Sequence, residues 1–330
     1  MNRKIKIAIL DTGIAPEYAN RYLNTKIIKN FKLIESKNHI EFEECKLGDI
    51  NGHGTACVSV INRLCKEVEY ISVQLLNDKG KSNIQRLIAA LTFMKYIDVD
   101  IINVSLSSNN ENYIEEMDYL IKNLKNQKKY VLAAKSNDRA VSIPAQLHNS
   151  YGVQSHKSKC GTYFWYKKDQ DIQLTCDGTP CMIPSYCQVP FLGGNSKATA
   201  QMTGIIAAHL FEGHSFNTLE NYLIQNSQSD NSNCMNDCDC NKSVKMNFSK
   251  KEVKSFIGIL ERKRIGIELK QDFRFVFRDM TACYKMLDLA NEYFDLQVTP
   301  EDFNLEDFFS LDAFLFKINL LLSMIECYRK

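Results

Sequence analysis

Apolar positions along the first two hundred residues follow two alternating rhythms. Short runs rich in β-branched residues occupy 5–10, 70–76, 100–106 and 130–134, with a weaker one at 151–154. Their length and composition predict strands. Between the second and third runs, Ile84, Leu87, Ile88 and Leu91 recur at helical spacing, and Ser82 is the expected N-cap. Residues 113–124 repeat that helical pattern before the fourth run. Strands alternating with helices of this length predict an α/β fold: a parallel sheet covered by helices on both faces. No repeat of fixed period is visible.

The rhythm breaks at Ser227. Through Ser243 the chain is dominated by Asn, Ser, Asp and Cys, and apolar residues nearly vanish, which marks a linker at 227–247. Beyond it, Met286, Leu287, Leu289, Ala290 and Phe294 lie along one helical face, and Leu311, Leu315, Ile318 and Leu322 along another. The expected organisation is an α/β domain at 1–226 and a small all-α domain at 248–330.

Composition narrows the function classes. A chain of 330 residues with 45% hydrophobic and 24% charged residues can bury a sizeable core. A net charge of +2 points to neither nucleic acid nor a membrane surface as partner. The apolar run at 7–10 ends at Asp11, too short for a signal-peptide core, and the stretch at 308–325 is interrupted by Asp312, Lys317 and Asn319. The expectation is a cytoplasmic protein. Cys57, Cys65, Cys283 and Cys327 sit among apolar neighbours and read as small core residues. Cys234, Cys238 and Cys240 cluster in the polar stretch, and Cys176, Cys181 and Cys187 form a looser group. Neither group has paired CxxC spacing, so reduced thiols are expected ahead of a structural metal.

Three segments carry candidate chemistry. Asp11 closes the first strand inside Ile9-Leu10-Asp11-Thr12-Gly13, at the strand end where open parallel sheets place ligands; alone it could equally cap a turn. His53 lies between two glycines in Asn51-Gly52-His53-Gly54-Thr55, ahead of an apolar helix; alone it could be an exposed loop histidine. Ser196 lies in Gly193-Gly194-Asn195-Ser196-Lys197-Ala198, entering a second apolar helix near its positive end; alone it could be an N-cap. A serine nucleophile needs a base, and that base needs a carboxylate to orient it and stabilise its charged form.

Together, in the order Asp, His, Ser, these segments resemble the subtilisin-like serine peptidases, whose motifs read D-[ST]-G, H-G-T and G-T-S-x-A. Two more segments fit in family order. Ile102-Asn103-Val104-Ser105-Leu106 resembles the substrate-flanking strand, and Val131-Leu132-Ala133-Ala134-Lys135-Ser136-Asn137 the strand ending in the oxyanion asparagine. The resemblance covers about residues 1–226. It implies Ser196 as nucleophile, His53 as general base, Asp11 as its orienting partner and Asn137 as oxyanion donor. It further implies substrate contacts from Ser105, Leu106 and Ser107 and from Ala133, Ala134 and Lys135. No cofactor or metal is implied, no calcium-loop pattern is evident, and no propeptide is expected ahead of the catalytic region. The sequence departs from the family at Lys135-Ser136 (usually Ala-Gly), Ser107-Ser108 (a Gly pair), Lys197 (commonly Met) and Ala200 (usually Pro).

The tail resembles an acyl carrier protein, most closely over Leu287-Asp288-Leu289-Ala290-Asn291-Glu292-Tyr293-Phe294-Asp295-Leu296, followed by a polar turn at 298–303 and a last helix capped by Ser310. Where a carrier holds phosphopantetheine on serine, this chain reads Arg278-Asp279-Met280-Thr281. The tail is thus similar to the acyl-carrier-related proteins of bacterial systems that mature ribosomally made peptides; an unrelated helical domain is the other reading. The resemblances imply a serine endopeptidase that removes the leader from a peptide precursor, with the tail recruiting precursor or partner enzymes. A catalytically silent subtilisin-fold scaffold and a general intracellular peptidase are the alternatives.

Overall fold

The computed structural model describes residues 3–23, 26–36, 39–137, 141–156, 163–184, 189–228, 248–263, 265, 280–308 and 310–328. The expectations for Cys187, Cys234, Cys238, Cys240 and Arg278-Asp279, and most of those for the linker, lie outside them. The chain divides into two compact units, one comprising 1–179 with 186–232 and the other 180–185 with 233–330.

The first unit is built on a nine-stranded sheet of order β3-β2-β4-β1-β5-β6-β7-β9-β8. Its strands are β1 (Ile5–Asp11), β2 (Ile27–Ser36), β3 (His39–Glu44), β4 (Val68–Gln74), β5 (Ile101–Val104), β6 (Tyr130–Ala134), β7 (Tyr151–His156), β8 (Phe164–Tyr166) and β9 (Leu174–Asp177). The strands from β2 to β9 across the sheet pair in parallel, and only the edge strands β3 and β8 run antiparallel. After the short helical turn α1 (Pro16–Tyr18), the long helices are α2 (His53–Leu64), α3 (Ile84–Met94), α4 (Ile114–Asn126), α5 (Gly194–Phe211) and α6 (Phe216–Asn226).

Helices cover both faces. On one, Leu87 and Leu91 of α3 and Met117 and Ile121 of α4 pack on Leu10, Val73, Val104 and Val131. On the other, α2 and α5 pack together against the sheet, and Thr203 Oγ1 of α5 donates to Asn103 Oδ1 of β5 at 2.9 Å. Strand β1 lies between β4 and β5, so the chain order reverses beside it. That is the topological switch point where open α/β sheets bind ligands.

Two local expectations are corrected. Helix α3 is capped by Asn83, whose side chain accepts from Arg86 N, while Ser82 Oγ bonds back to Leu75 O; an Asx side chain one residue closer to the helix reaches its first-turn amides. The third strand ends at Val104 rather than 106, so Ser105 and Leu106 belong to the loop after it. The strands β2, β3, β8 and β9 were not foreseen. Three of β2's ten residues carry charge and most of the strand is exposed, and β8 and β9 are three and four residues long.

In the second unit, α7 (Lys250–Arg262), α8 (Met280–Phe294) and α9 (Leu311–Tyr328) are the long helices among the described residues. Helix α7 opens with a reciprocal capping box between Ser249 and Glu252. The Ser310 hydroxyl accepts from Ala313 N at 3.0 Å as α9 begins. Phe303, Phe308 and Phe314 form a fully buried ring cluster. Residues 180–184 are bound into this unit: Met182 N donates to Phe303 O, Leu305 N to Pro180 O and Tyr284 Oη to Ile183 O. No described helix is long and apolar enough to cross a membrane.

Candidate active site

Asp11 is the last residue of β1 and its side chain is 1% exposed. Its Oδ1 accepts from Thr12 N at 2.8 Å. His53 is the first residue of α2, and its Nδ1 lies 2.9 and 3.0 Å from the two carboxylate oxygens of Asp11. The Asp11 charge raises the imidazole's pKa above its ordinary value near 6.5, against the opposing effect of burial. With Nδ1–H held by the carboxylate, Nε2 is left as the basic nitrogen.

Close backbone contacts require the glycines of these two motifs. A Cβ on Gly54 would stand 2.3 Å from Gly13 O and 3.1 Å from Asp11 Cβ. One on Gly13, at φ +122°, would stand 2.0 Å from Gly48 O. Only bare backbone lets the first turn of α2 press this close to the end of β1. Threonines stitch the contact: Gly54 N donates to Thr12 Oγ1, and Ala15 N to Thr55 Oγ1. Asp49, unremarked in the sequence, accepts from Gly52 N, Thr55 N and Thr55 Oγ1, and so satisfies amides at the start of α2.

Cys57, one turn along α2, is buried beneath the pair. Its Sγ lies 3.8 Å from Asp11 Oδ2, 3.9 Å from His53 Nδ1 and 3.6 Å from Ser105 Oγ. Burial raises its thiol pKa. Ser105 Oγ in turn accepts from Asn103 Nδ2.

Ser196 is the third residue of α5, half-buried. The N-cap is Gly193, without a side-chain cap, so Ser196 is not the cap. Its amide is in the first turn, where no intrahelical acceptor exists. Its neighbours hold it from both sides. Asn195 Nδ2 donates to Lys135 O at 2.7 Å and to Asn137 Oδ1 at 2.9 Å, and Asn195 Oδ1 accepts from Ser155 N at 2.7 Å. Lys197 Nζ pairs with Asp177 Oδ2 at 2.5 Å, with both side chains at least 93% buried. Asp177 Oδ1 accepts from Thr179 N. Sequence reading noted Lys197 but gave its partner no signal.

The structure therefore joins Asp11 to His53 and Asn137 to the residue preceding Ser196. It does not join Ser196 Oγ to His53 by a hydrogen bond. Such contacts are often long before substrate is bound. Of the expected substrate-contact residues, Ser105, Leu106 and Ser107 line a cavity of about 420 Å³, with Ser136 and Leu76 among the other lining residues. Ala133 is fully buried in the core beneath α3 and α4, and Ala134 is also buried. Lys135 is half-buried, its Nζ donating to Gln154 Oε1 at 3.2 Å.

Two comparisons with known proteins bear on this arrangement. The sequence model of the subtilase family matches residues 2–254, more than three quarters of the chain. The chain belongs to the subtilase family. The match includes the segments bearing Asp11, His53, Asn137 and Ser196 and reaches into α7. This subtilase is also 22% identical over 222 residues to the minor extracellular protease Epr of Bacillus subtilis (strain 168), a match covering 62% of the chain. It spans 32% of the length of that relative.

Proposed function

We propose that this subtilase is a serine endopeptidase that removes the leader from a ribosomally made peptide precursor. The observation that carries the catalytic reading is the pairing of buried Asp11 with half-buried His53 at the switch point, at the carboxyl end of central strand β1. In the proposed reaction Ser196 Oγ attacks the scissile carbonyl carbon while His53 Nε2 takes its proton. Asn137 Nδ2–H and the Ser196 N–H receive the oxyanion. His53 then gives the proton to the leaving amine as the C–N bond breaks. Water, deprotonated by His53, releases the second product from the acyl-enzyme and restores Ser196. Asp11 stays ionised throughout and holds the imidazole in the required tautomer.

The maturation reading rests on the tail. Its pattern follows an acyl carrier protein, yet Met280 stands where the carrier serine would be, and methionine offers no hydroxyl for phosphopantetheine. The tail is then an all-α carrier-related module that binds precursor or a partner enzyme and carries no prosthetic arm. The same reading places the protein in the cytoplasm, where Cys45, Cys57, Cys65 and Cys176 persist as free thiols.

The catalytically silent alternative is favoured by the departures from the family beside Asn137 and Ser196, at Lys135-Ser136 and Lys197. Mass spectrometry of the full-length protein mixed with candidate precursor peptides separates the readings. Leader and core fragments with wild type and none with Ser196→Ala are expected. Intact precursor throughout, with a short general peptide cleaved, contradicts the maturation role; no cleavage of either contradicts the enzyme. Incubating the full-length protein with a promiscuous transferase and coenzyme A is expected to add no mass, and a gain of one phosphopantetheine overturns the reading of the tail.

A further inference from the structure

We infer that Asn195 is a positioning residue for the oxyanion donor: its amide holds Asn137 with the NH₂ end, not the oxygen, directed at the reacting carbonyl. The inference rests on the proposed role of Asn137.

A carboxamide is useful to an oxyanion in only one of two orientations. Rotated by 180°, it presents an oxygen acceptor where a donor is needed. Asn137 is exposed, so packing does not select between them. The surrounding hydrogen bonds do, and they start from groups whose polarity is beyond choice. Ser155 N is a backbone donor, so the end of Asn195 lying 2.7 Å from it must be oxygen. Lys135 O is a backbone acceptor, so the other end, 2.7 Å away, must be nitrogen. That nitrogen has a second N–H, and it meets the side chain of Asn137 at 2.9 Å. Only the oxygen of Asn137 can accept it. Two backbone groups thus fix the orientation of Asn195, and Asn195 fixes that of Asn137, leaving Asn137 Nδ2 unspent.

Asn195 suits this work because it is 7% exposed and its side chain makes three hydrogen bonds, two given and one taken. Turning Asn137 over would set two NH₂ groups against each other and leave a buried N–H unpaired, which costs about 1–3 kcal/mol. The threonine of the family motif has one hydroxyl and cannot donate to Lys135 O and Asn137 together while accepting from Ser155 N. The device therefore belongs to this sequence's Gly-Asn-Ser and not to Gly-Thr-Ser.

The test is a double-mutant cycle on the full-length protein with a short chromogenic peptide, measuring kcat and KM separately. Asn195→Ala is expected to lower kcat by about 10- to 100-fold, less than the loss of the donor itself, with KM little changed. Asn195→Thr, which installs the family residue and keeps a folded site, is expected to fall in the same direction. On an Asn137→Ala background neither substitution should lower kcat further. Multiplied losses in the double variants would show that Asn195 acts independently of Asn137 and would overturn the inference, as would a loss confined to KM. Unchanged kcat in Asn137→Ala alone would instead overturn the oxyanion role on which the inference stands. Thermal melting of each variant separates these outcomes from unfolding, and Asn195→Thr decides the matter if Asn195→Ala does not fold.

Discussion

At the Asp11–His53 end of the site, backbone meets backbone: Gly54 lies against Gly13, and Thr12, Thr55 and Asp49 bond main-chain amides a short distance away. At the Ser196 end the same task falls to long polar side chains. Asn195 ties α5 to Lys135, Asn137 and Ser155, and Lys197 ties it to Asp177. The first arrangement admits almost no other residues, because any side chain would strike a carbonyl. The second depends on matched partners and could be rebuilt from other pairs, provided that no buried polar group is left over. The contrast explains why Asp-Thr-Gly and His-Gly-Thr keep the family form while the residues flanking Ser196 do not.

Substitutions at the two ends of the site have different expected costs. The largest loss is expected from Ser196→Ala, about 10⁶-fold in kcat, with the melting temperature retained. Asp11→Asn should lower kcat by about 10⁴-fold through the wrong histidine tautomer. It should also move the pH profile in a defined direction. Asp11 raises the His53 pKa, and only neutral His53 can act as base. Rate therefore falls as pH drops through that pKa, and without the Asp11 charge the acid limb should shift to lower pH. A pH–rate profile of the variant that keeps its acid limb in place would contradict the pairing. Asn137→Ala comes next, at about 10²–10³-fold in kcat.

Lys197→Met probes the other end through stability. It leaves Asp177 buried without its cation and should cost about 3–5 kcal/mol in a denaturant titration. Adding Asp177→Asn should recover much of that loss, because the amide oxygen can still accept from Thr179 N. No recovery would mean that the lysine matters for packing and not for charge.

What the sequence disclosed follows the same division. Asp11, His53 and Ser196 were readable because their surroundings are local: a strand end, glycines at fixed offsets, an apolar helix beginning. The core strands β1, β4, β5 and β6 announced themselves as apolar runs, since both of their faces are covered. Strand β2 did not, because it is mostly exposed, and its pairings with β3 set Lys32 opposite Glu43 and Ile34 opposite Glu41. Charges of this kind suit a sheet margin but erase the strand's pattern. Asp49 was passed over because an aspartate in a polar loop has many ordinary uses. The Asn195–Asn137 and Lys197–Asp177 contacts join residues 58 and 20 positions apart, and no local spacing foretells them.

Covalent labelling reads out whether Ser196 is the activated nucleophile proposed above. The full-length protein is treated with a fluorophosphonate and the adduct is mapped by peptide mass spectrometry. A single adduct on Ser196 is expected, absent from Ser196→Ala and formed far more slowly in Asp11→Asn. An unmodified Ser196 in folded wild type, or labelling at the same rate without the Asp11 carboxylate, would contradict that role.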